Sequence, residues 1–266
     1  GNWVMGATCA LMAVGGLFIA SGASNDVAYY GGIGFFVFAV LLVFLFIKVS
    51  TGQMIGLKPI DVMPSNADVS NSWKVGGISI VGFSRDEEDI PCQDAHAFKI
   101  NKHGLIIAAI ADGAGSSRLS DRGAQAFVNG VVDHIWNLTP YDLFDDTLIR
   151  SEIVKSVNQT RDQLVRRHAV DLEEGTPSLS DFAATLVVAV AGPDAGAFFH
   201  VGDGAGVAFT YGREDQGITV SKPQNGEYAN ETYFLTMDNW QQYLRVTPFI
   251  NNHDTILLMS DGVTPM

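Results

Sequence analysis

Two apolar runs in this chain end in the same dipeptide, Asp-Gly. Residues 105–111 lead to Asp112 and residues 256–260 lead to Asp261, and a glycine follows each aspartate. Short apolar runs bounded by turn residues are typical of buried strands. Carboxylates at the ends of neighbouring strands repel each other unless a cation lies between them, and hard divalent cations prefer oxygen ligands. The pattern therefore predicts a sheet protein with a metal site at one sheet edge.

Two further apolar runs, residues 3–21 and 29–47, lie near the N-terminus and contain no charged residue. Each is close to the ~20 apolar residues that a helix needs to cross a bilayer. We therefore predict a transmembrane hairpin over residues 1–49, with a buried helical hairpin of a soluble protein as the alternative. A signal peptide is disfavoured, because no basic residue precedes the first run and a second apolar run follows at once.

The basic residues predict how this hairpin is oriented. The loop between the two runs carries Asp26 and no basic residue, whereas Lys48, Lys58 and Lys74 follow the second run. The positive-inside rule then places both ends of the hairpin in the cytoplasm. We expect residues 3–47 to lie in the inner membrane, with the lipid bilayer as a partner and the rest of the chain in the cytoplasm.

Charge and cysteine content narrow the possible functions. The net charge is −13, from 29 acidic and 16 basic residues, so the chain lacks the basic surface that nucleic-acid binding requires. Its two cysteines, Cys9 and Cys92, are too few for a disulfide framework, in keeping with a reducing compartment. We therefore expect no nucleic-acid partner.

The remaining sequence predicts a linker and one globular domain. Residues 50–72 are rich in Gly, Pro, Ser and Asn and predict the linker, so the domain covers residues 73–266. Apolar residues at helical spacing predict one helix after Ser120 and another from Leu148 to Leu164, and strands are predicted before and after them. This order predicts an α+β domain. The chain lacks an initiator Met and stops soon after its last motif, so we expect a fragment at both ends, with the domain incomplete at its C-terminus.

Four segments of the domain together resemble a known enzyme family. They are residues 91–98, 111–116, 200–206 and 259–263. In this order and spacing they resemble the metal-dependent Ser/Thr protein phosphatases of type 2C, over roughly residues 73–266. The resemblance implies a four-layer αββα sandwich of two antiparallel sheets flanked by helices, with two divalent cations, Mn or Mg, at one end.

The resemblance also implies roles for individual residues. Asp94 would bind one metal ion, Asp112 would bridge both ions, and the carbonyl of Gly113 would supply a further oxygen. Asp261 would bind the second ion, and Asp203 would support the site without ligating. Two such ions can clamp a phosphate and activate a water for direct attack. The expected function is hydrolysis of phospho-Ser or phospho-Thr, with a phosphorylated protein and a cognate Ser/Thr kinase system as partners.

Three other residues are candidates for the site. Asp181 could bind a third metal ion, as in some family members, or it could act as a cap that leads into a helix or a strand. Arg85 could contact the substrate phosphate or pair with the acidic residues 86–89. His96 is a candidate proton donor, because Ala114 stands where many members carry the His that protonates the leaving alkoxide. An ordinary strand histidine is the alternative reading of His96.

Two departures from the family favour a different function. These departures are Ala114 and the acidic insert 86–89, which are both unlike the family pattern. In addition, the final metal-binding Asp of the family would lie after Met266. A catalytically silent binding module with the phosphatase fold, tethered to the membrane, is therefore the alternative to an enzyme.

Overall fold

The computed structural model describes residues 16–20, 61–62, 73–80, 91–168, 176–192, 194–212, 217–224, 232–250 and 253–263. Most of the predicted hairpin and linker, and Arg85, lie outside these ranges. The described strands form two antiparallel sheets, one of six strands and one of five. Helices and sheets therefore combine in an α+β fold, as the sequence predicted.

The strands are numbered in chain order. They are β1 Gly16–Ala20, β2 Asp61–Val62, β3 Lys74–Ile78, β4 Asp94–Ile100, β5 Ile106–Asp112, β6 Leu186–Ala191, β7 Ala195–Val201, β8 Ala205–Phe209, β9 Ile218–Ser221, β10 Arg245–Ile250 and β11 Thr255–Met259. The six-stranded sheet has the spatial order β2-β3-β1-β11-β8-β9, and the five-stranded sheet has the order β10-β7-β6-β5-β4.

The five-stranded sheet is buried on both faces. Along β5, Ile107 and Ala109 pack towards the helices, whereas Ile106, Ala108 and Ile110 pack towards the six-stranded sheet. Successive side chains of a strand point to opposite faces, so a strand covered on both sides needs a continuous apolar run. This explains why residues 105–111 contain no polar residue.

Two long helices, α1 (Ser120–His134) and α2 (Asp146–His168), lie on the side of the five-stranded sheet that faces away from the other sheet. The buried residues of α1 include Ala124, Phe127, Val128 and Val131, which recur at the spacing of one helix face. Both helices begin close to where the sequence predicted them. The described residues thus give three of the four predicted layers. They do not include a helix for the layer that we expected on the six-stranded sheet, and that prediction stays untested.

Strand β1 lies inside the first run that was predicted to be transmembrane. It pairs antiparallel with β3 on one side and with β11 on the other, so for these residues the structure has a strand where we expected a helix. An uncharged run of Gly, Leu, Phe, Ile and Ala is compatible with a central strand as well as with a membrane helix, because both environments satisfy the backbone groups without water. Across the described ranges, no helix has the length and apolar character required to span a membrane.

Besides β1, three further strands were not predicted, namely β2, β9 and β10. β2 falls in the expected linker and pairs with β3, while β9 and β10 are edge strands. β9 has only 4 residues, and β10 contains Pro248, which lowers its strand signal but is tolerated at a sheet edge. Edge strands carry weaker patterns because only one neighbour constrains them.

Gly123 marks a close approach between α1 and the short helical turn Leu179–Phe182, which precedes β6. A Cβ atom on Gly123 would lie 2.1 Å from the backbone oxygen of Phe182. We expect Gly123→Ala to lower the free energy of unfolding by about 1–3 kcal/mol in urea denaturation, because rigid backbone leaves no room for the methyl group. Gly76→Ala is the control, since a Cβ there meets nothing within 4 Å. Equal losses for both variants would contradict this packing argument.

Candidate active site

Two of the predicted metal ligands lie directly opposite each other. Asp94 begins β4 and Asp112 ends β5, and the antiparallel register pairs them. Directly opposed residues of neighbouring strands have Cβ atoms about 4.5–5.5 Å apart, so like charges there repel. The sheet register therefore creates the concentration of negative charge that the sequence predicted.

The other two acids reach the same place from connections between strands. β11 ends at Met259, and Asp261 follows after one residue, Ser260. Asp261 begins the short helical turn Asp261–Val263. Asp203 lies in the tight turn between β7 and β8, where Gly202 has a φ of 110° that favours glycine. The charges of Asp94, Asp203 and Asp261 all raise the pKa of Asp112. The four acids thus form one electrostatic group.

A cavity of about 220 Å³ opens at this group. Its walls include three of the carboxylates, from Asp112, Asp203 and Asp261, the loop 113–116 and the side chain of Phe234. Thr185 and Thr232 complete the lining. None of the described residues that line the cavity is Lys, Arg or His.

Burial shifts the ionisation of the two opposed acids. Asp94 is only 6% exposed, and both of its carboxylate oxygens are buried without a hydrogen-bond partner. Burial raises the pKa of Asp94 to about 7; the Ser260 side chain opposes part of this rise, and the charge of Asp261 adds to it. Burial, then Asp94 and Asp261, raise the pKa of Asp112 to about 9. Without a counter-charge the site favours protonated acids.

Two threonines hold two of the acids in place. The Oγ1 atom of Thr185 accepts a hydrogen bond from the backbone N–H of Asp112 at 3.0 Å, and the Thr185 N–H donates to the Asp112 carbonyl at 2.8 Å. The Thr232 hydroxyl donates to Oδ2 of Asp203 at 2.5 Å. Burial raises the pKa of Asp203, and this hydrogen bond opposes the rise.

Arginines of α2 hold the segment that contributes Thr232 and Phe234. Arg161 donates to the carbonyls of Leu235 and Met237, the second at 2.8 Å. Arg150 donates to the carbonyls of Leu244 and Gln241 at 2.7 and 3.0 Å. The segment is therefore fixed against the helix, which places one wall of the cavity.

The loop after Asp112 is held against the start of α1. The Gly113 N–H donates to the Gln93 carbonyl at 3.1 Å, and the Ala114 N–H donates to the Ala183 carbonyl at 2.9 Å. A Cβ atom on Gly113 would lie 2.7 Å from the backbone oxygen of Ser120, so only glycine fits there. This explains the Asp-Gly dipeptide after β5 in structural terms.

The donor set suits hard divalent cations such as Mn or Mg. Carboxylate oxygens from Asp94, Asp112 and Asp261 are the ligands that these ions prefer, and the unpaired buried oxygens of Asp94 lack any other partner. Within the described residues, no group of three or more His, Cys, Asp or Glu side chains is placed so that it could hold a metal ion as it stands. Cations bound here would relieve the repulsion that adds to the effect of burial on both pKa values.

Comparison with known proteins agrees with the ordered acids and the antiparallel sheets. A family model described as Protein phosphatase 2C matches residues 81–266. The chain belongs to the protein phosphatase 2C family. Serine/threonine-protein phosphatase 3 of Escherichia coli (strain K12) is 27% identical over 198 residues, covering 72% of this chain and 74% of that protein.

Solved structures with a similar fold include two bacterial phosphatases. The S. agalactiae serine/threonine phosphatase is 16% identical with a TM-score of 0.48, and the match covers 66% of this chain and 76% of that chain. A bacterial serine phosphatase is 15% identical with a TM-score of 0.47, covering 66% of this chain and 74% of that chain.

Three candidates from the sequence, Asp94, Asp181 and His96, do not line the cavity of this 2C-family domain, although Asp94 lies opposite Asp112 in the sheet. The carboxylate of Asp181 accepts hydrogen bonds from the N–H and the hydroxyl of Ser178, at 2.7 and 3.0 Å, and lies 3.7 Å from Arg118. It therefore caps a local turn, the alternative that the sequence left open. The Nδ1 atom of His96 lies 2.9 Å from the Ser79 hydroxyl, an ordinary strand contact. Arg85 lies outside the described residues.

Five residues of the cavity wall were not identified as site residues from the sequence: Gly115, Ser116, Thr185, Thr232 and Phe234. Ser116 and Thr185 adjoin predicted elements at the correct sheet edge, so edge position was a usable signal for both. Thr232 and Phe234 belong to a segment that reaches the cavity only through its contacts with α2 and with β6, including the hydrogen bond from the Leu235 N–H to the Ala184 carbonyl. No local sequence pattern marks such a segment.

We expect Asp94→Asn to stabilise the protein in the absence of divalent cations at pH 8. The pKa of Asp94 is raised from 3.8 to about 7, so stability that is present below pH 3.8 is lost as the pH rises through 7. The variant should unfold at higher urea than wild type at pH 8, and the difference should vanish at pH 4. Excess Mg²⁺ should reverse the order.

The control for this measurement is Asp162→Asn. Asp162 is an exposed acid of α2 that lies 3.9 Å from Arg166. An exposed ion pair of this kind contributes little to the free energy of unfolding. If both substitutions changed stability equally, charge repulsion at the sheet edge would not explain the effect.

Proposed function

We propose that this chain is a metal-dependent protein phosphatase that hydrolyses phospho-Ser and phospho-Thr monoesters by direct attack of water. The observation that carries the proposal is the convergence of Asp112 and Asp261 at one cavity in a 2C-family domain, with Asp94 paired directly opposite Asp112. The E. coli relative is named as a serine/threonine-protein phosphatase, which supports this substrate class. A phosphorylated protein, and the kinase system that phosphorylates it, are the corresponding partners.

The acids would hold the cations that the family uses. Bound Mn or Mg would supply positive charge to the phosphate and lower the pKa of the attacking water. Asp94 and Asp112 would hold one side of the site and Asp261 the other, with the carbonyl of Gly113 as a further oxygen donor. A third cation at Asp181 is not part of this proposal, because that carboxylate caps Ser178.

The protein groups around the acids would position them and the substrate. Thr185 fixes the backbone of Asp112 through two hydrogen bonds, so the carboxylate enters the reaction already oriented. Thr232 orients Asp203 at the cavity wall. Phe234 gives the wall an apolar surface, which suits the carbon atoms of a peptide substrate.

Protonation of the leaving alkoxide is the step for which the described residues of the cavity wall offer no histidine. Ala114 offers no proton, and His96 points to Ser79. General acid catalysis is typically worth ~10²–10⁴-fold. We therefore propose that water protonates the leaving group and that turnover is slower than in family members with a His at this position.

We expect Asp112→Asn to reduce phosphate release from a phosphoserine peptide by at least ~10²-fold, because Asp112 would contact both cations. Release is measured with and without Mn²⁺, using the full chain. Asp162→Asn, an exposed change of the same type on α2, should keep wild-type activity. Equal turnover by wild type and Asp112→Asn would reject the proposal.

A catalytically silent binding module is the second candidate function. The observation that favours it is a cavity whose described lining has acids and hydroxyls but neither a basic side chain nor a histidine. Calorimetry with Mn²⁺ separates the two functions, since an enzyme must bind the ion and turn over substrate. Absence of Mn²⁺ binding by the full chain would favour the silent module.

Attachment to the cytoplasmic face of the inner membrane is a separate proposal that rests on the sequence alone. The uncharged runs 3–21 and 29–47 support it. It competes with strand β1, because residues 16–20 cannot lie in a bilayer and also pair with β3 and β11.

Removal of residues 1–49 distinguishes these two arrangements. If the runs anchor the chain, the full chain should sediment with membranes and the shortened chain should stay soluble with an unchanged unfolding midpoint. If β1 completes the sheet, the full chain should not require membranes, and the shortened chain should be strongly destabilised because a central strand is lost.

A further inference from the structure

The cavity of the 2C-family domain presents an electrostatic problem for a phosphate ester. A phosphate monoester is anionic near neutral pH, and the titratable side chains among the described lining residues are all acids, Asp112, Asp203 and Asp261. Cations would neutralise the acids and attract the phosphate. The phosphate oxygens that face away from the cations still need hydrogen-bond donors, and the described lining residues include no basic side chain that could supply them.

Most neutral donors around the cavity already have a partner. The Thr232 hydroxyl donates to Asp203, and in the loop after Asp112 the N–H groups of Gly113 and Ala114 donate to backbone carbonyls. These donors are committed to the architecture of the site. The Thr185 hydroxyl accepts from the Asp112 N–H, so its own proton is the one side-chain donor outside the loop 113–116 that stays available among the described lining residues.

Three donors in the same loop remain uncommitted among the described residues. They are the backbone N–H of Gly115, the backbone N–H of Ser116 and the Ser116 hydroxyl, for which the structure has no hydrogen-bond partner. Ser116 is exposed and lines the cavity. Gly115 leaves space above the loop, since a Cβ there would meet only the Gln93 side chain at 3.8 Å.

The loop that carries these donors is fixed at both ends. Gly113 packs against the backbone of Ser120, and the Ser117 N–H donates to the Ala114 carbonyl at 2.9 Å, which closes a turn around Gly115 and Ser116. Further along, the Leu119 N–H donates to the Asp181 carbonyl at 2.8 Å. Donors on a rigid turn bind an anion without the entropy cost of ordering a flexible loop.

We propose that Ser116 is a substrate-binding residue, whose hydroxyl and backbone N–H, with the N–H of Gly115, donate hydrogen bonds to phosphate oxygens of the phosphoprotein. The inference rests on the proposed phosphatase function and adds a phosphate contact to it. Backbone N–H groups of a turn are well suited to anions. Ser116 thus supplies a neutral hydrogen-bond donor at a cavity wall whose described residues include no basic side chain.

The test compares wild type with Ser116→Ala, Ser116→Thr and Ser117→Ala in the full chain. Removing a hydrogen bond to a charged group is expected to lower kcat/KM for a phosphoserine peptide by about 10- to 100-fold in Ser116→Ala. The inhibition constant of inorganic phosphate should rise by a similar factor. Ser116→Thr keeps a hydroxyl and should recover most of both losses.

Ser117→Ala is the matched control, because it removes a hydroxyl one residue along the same turn from a side chain that does not line the cavity. It should retain wild-type kinetics. Mn²⁺ affinity, measured by calorimetry, should be the same in all four proteins, because Ser116 contacts phosphate and not the cations. Unchanged Mn²⁺ binding also shows that Ser116→Ala has kept the folded site.

The outcomes separate this inference from the proposed function. If wild type is active and Ser116→Ala matches it in kcat/KM and in phosphate inhibition, the Ser116 inference is wrong. If wild type hydrolyses no phosphopeptide, the proposed function fails, and calorimetric titration of inorganic phosphate in Mn²⁺ still tests Ser116. Equal phosphate affinity in wild type and Ser116→Ala would then overturn the contact.

Discussion

Repulsion between buried carboxylates at one sheet edge is the constraint on which the rest of the site depends. The register of β4 and β5 sets Asp94 opposite Asp112, and Asp261 arrives from the other sheet. Burial removes the water that would stabilise these charges, so the pKa values of Asp94 and Asp112 rise to about 7 and about 9. Positive charge between the acids is what lets them ionise near neutral pH.

The structure around the acids is held mainly by hydrogen bonds from threonine hydroxyls, backbone N–H groups and arginine side chains. Thr185 holds the backbone of Asp112, and Thr232 holds the carboxylate of Asp203. Arg150 and Arg161 of α2 donate to backbone carbonyls of the neighbouring segment. These guanidinium groups therefore support the cavity wall. They do not line the cavity, so among the described lining residues the acids are not neutralised by a basic side chain.

Several elements could be predicted because their signals are local. The continuous apolar run of β5 and the helical spacing in α1 depend on a few neighbouring residues, and both elements appear where they were expected. β9 and β10 were missed because edge strands are short or contain proline, as at Pro248. Strand β1 was missed because an uncharged run is compatible with a central strand and with a membrane helix alike.

The sequence by itself determined the chemistry of this protein: acids in a fixed order, after apolar strands, in a pattern that resembles the type 2C phosphatases. Only the tertiary structure decided which side chains share the cavity. It gave Asp181 a capping role and His96 a hydroxyl partner, and it brought Thr232 and Phe234 to the acids. The reason is physical: strand and turn preferences are set by adjacent residues, whereas register and long-range hydrogen bonds depend on segments that are distant in the chain.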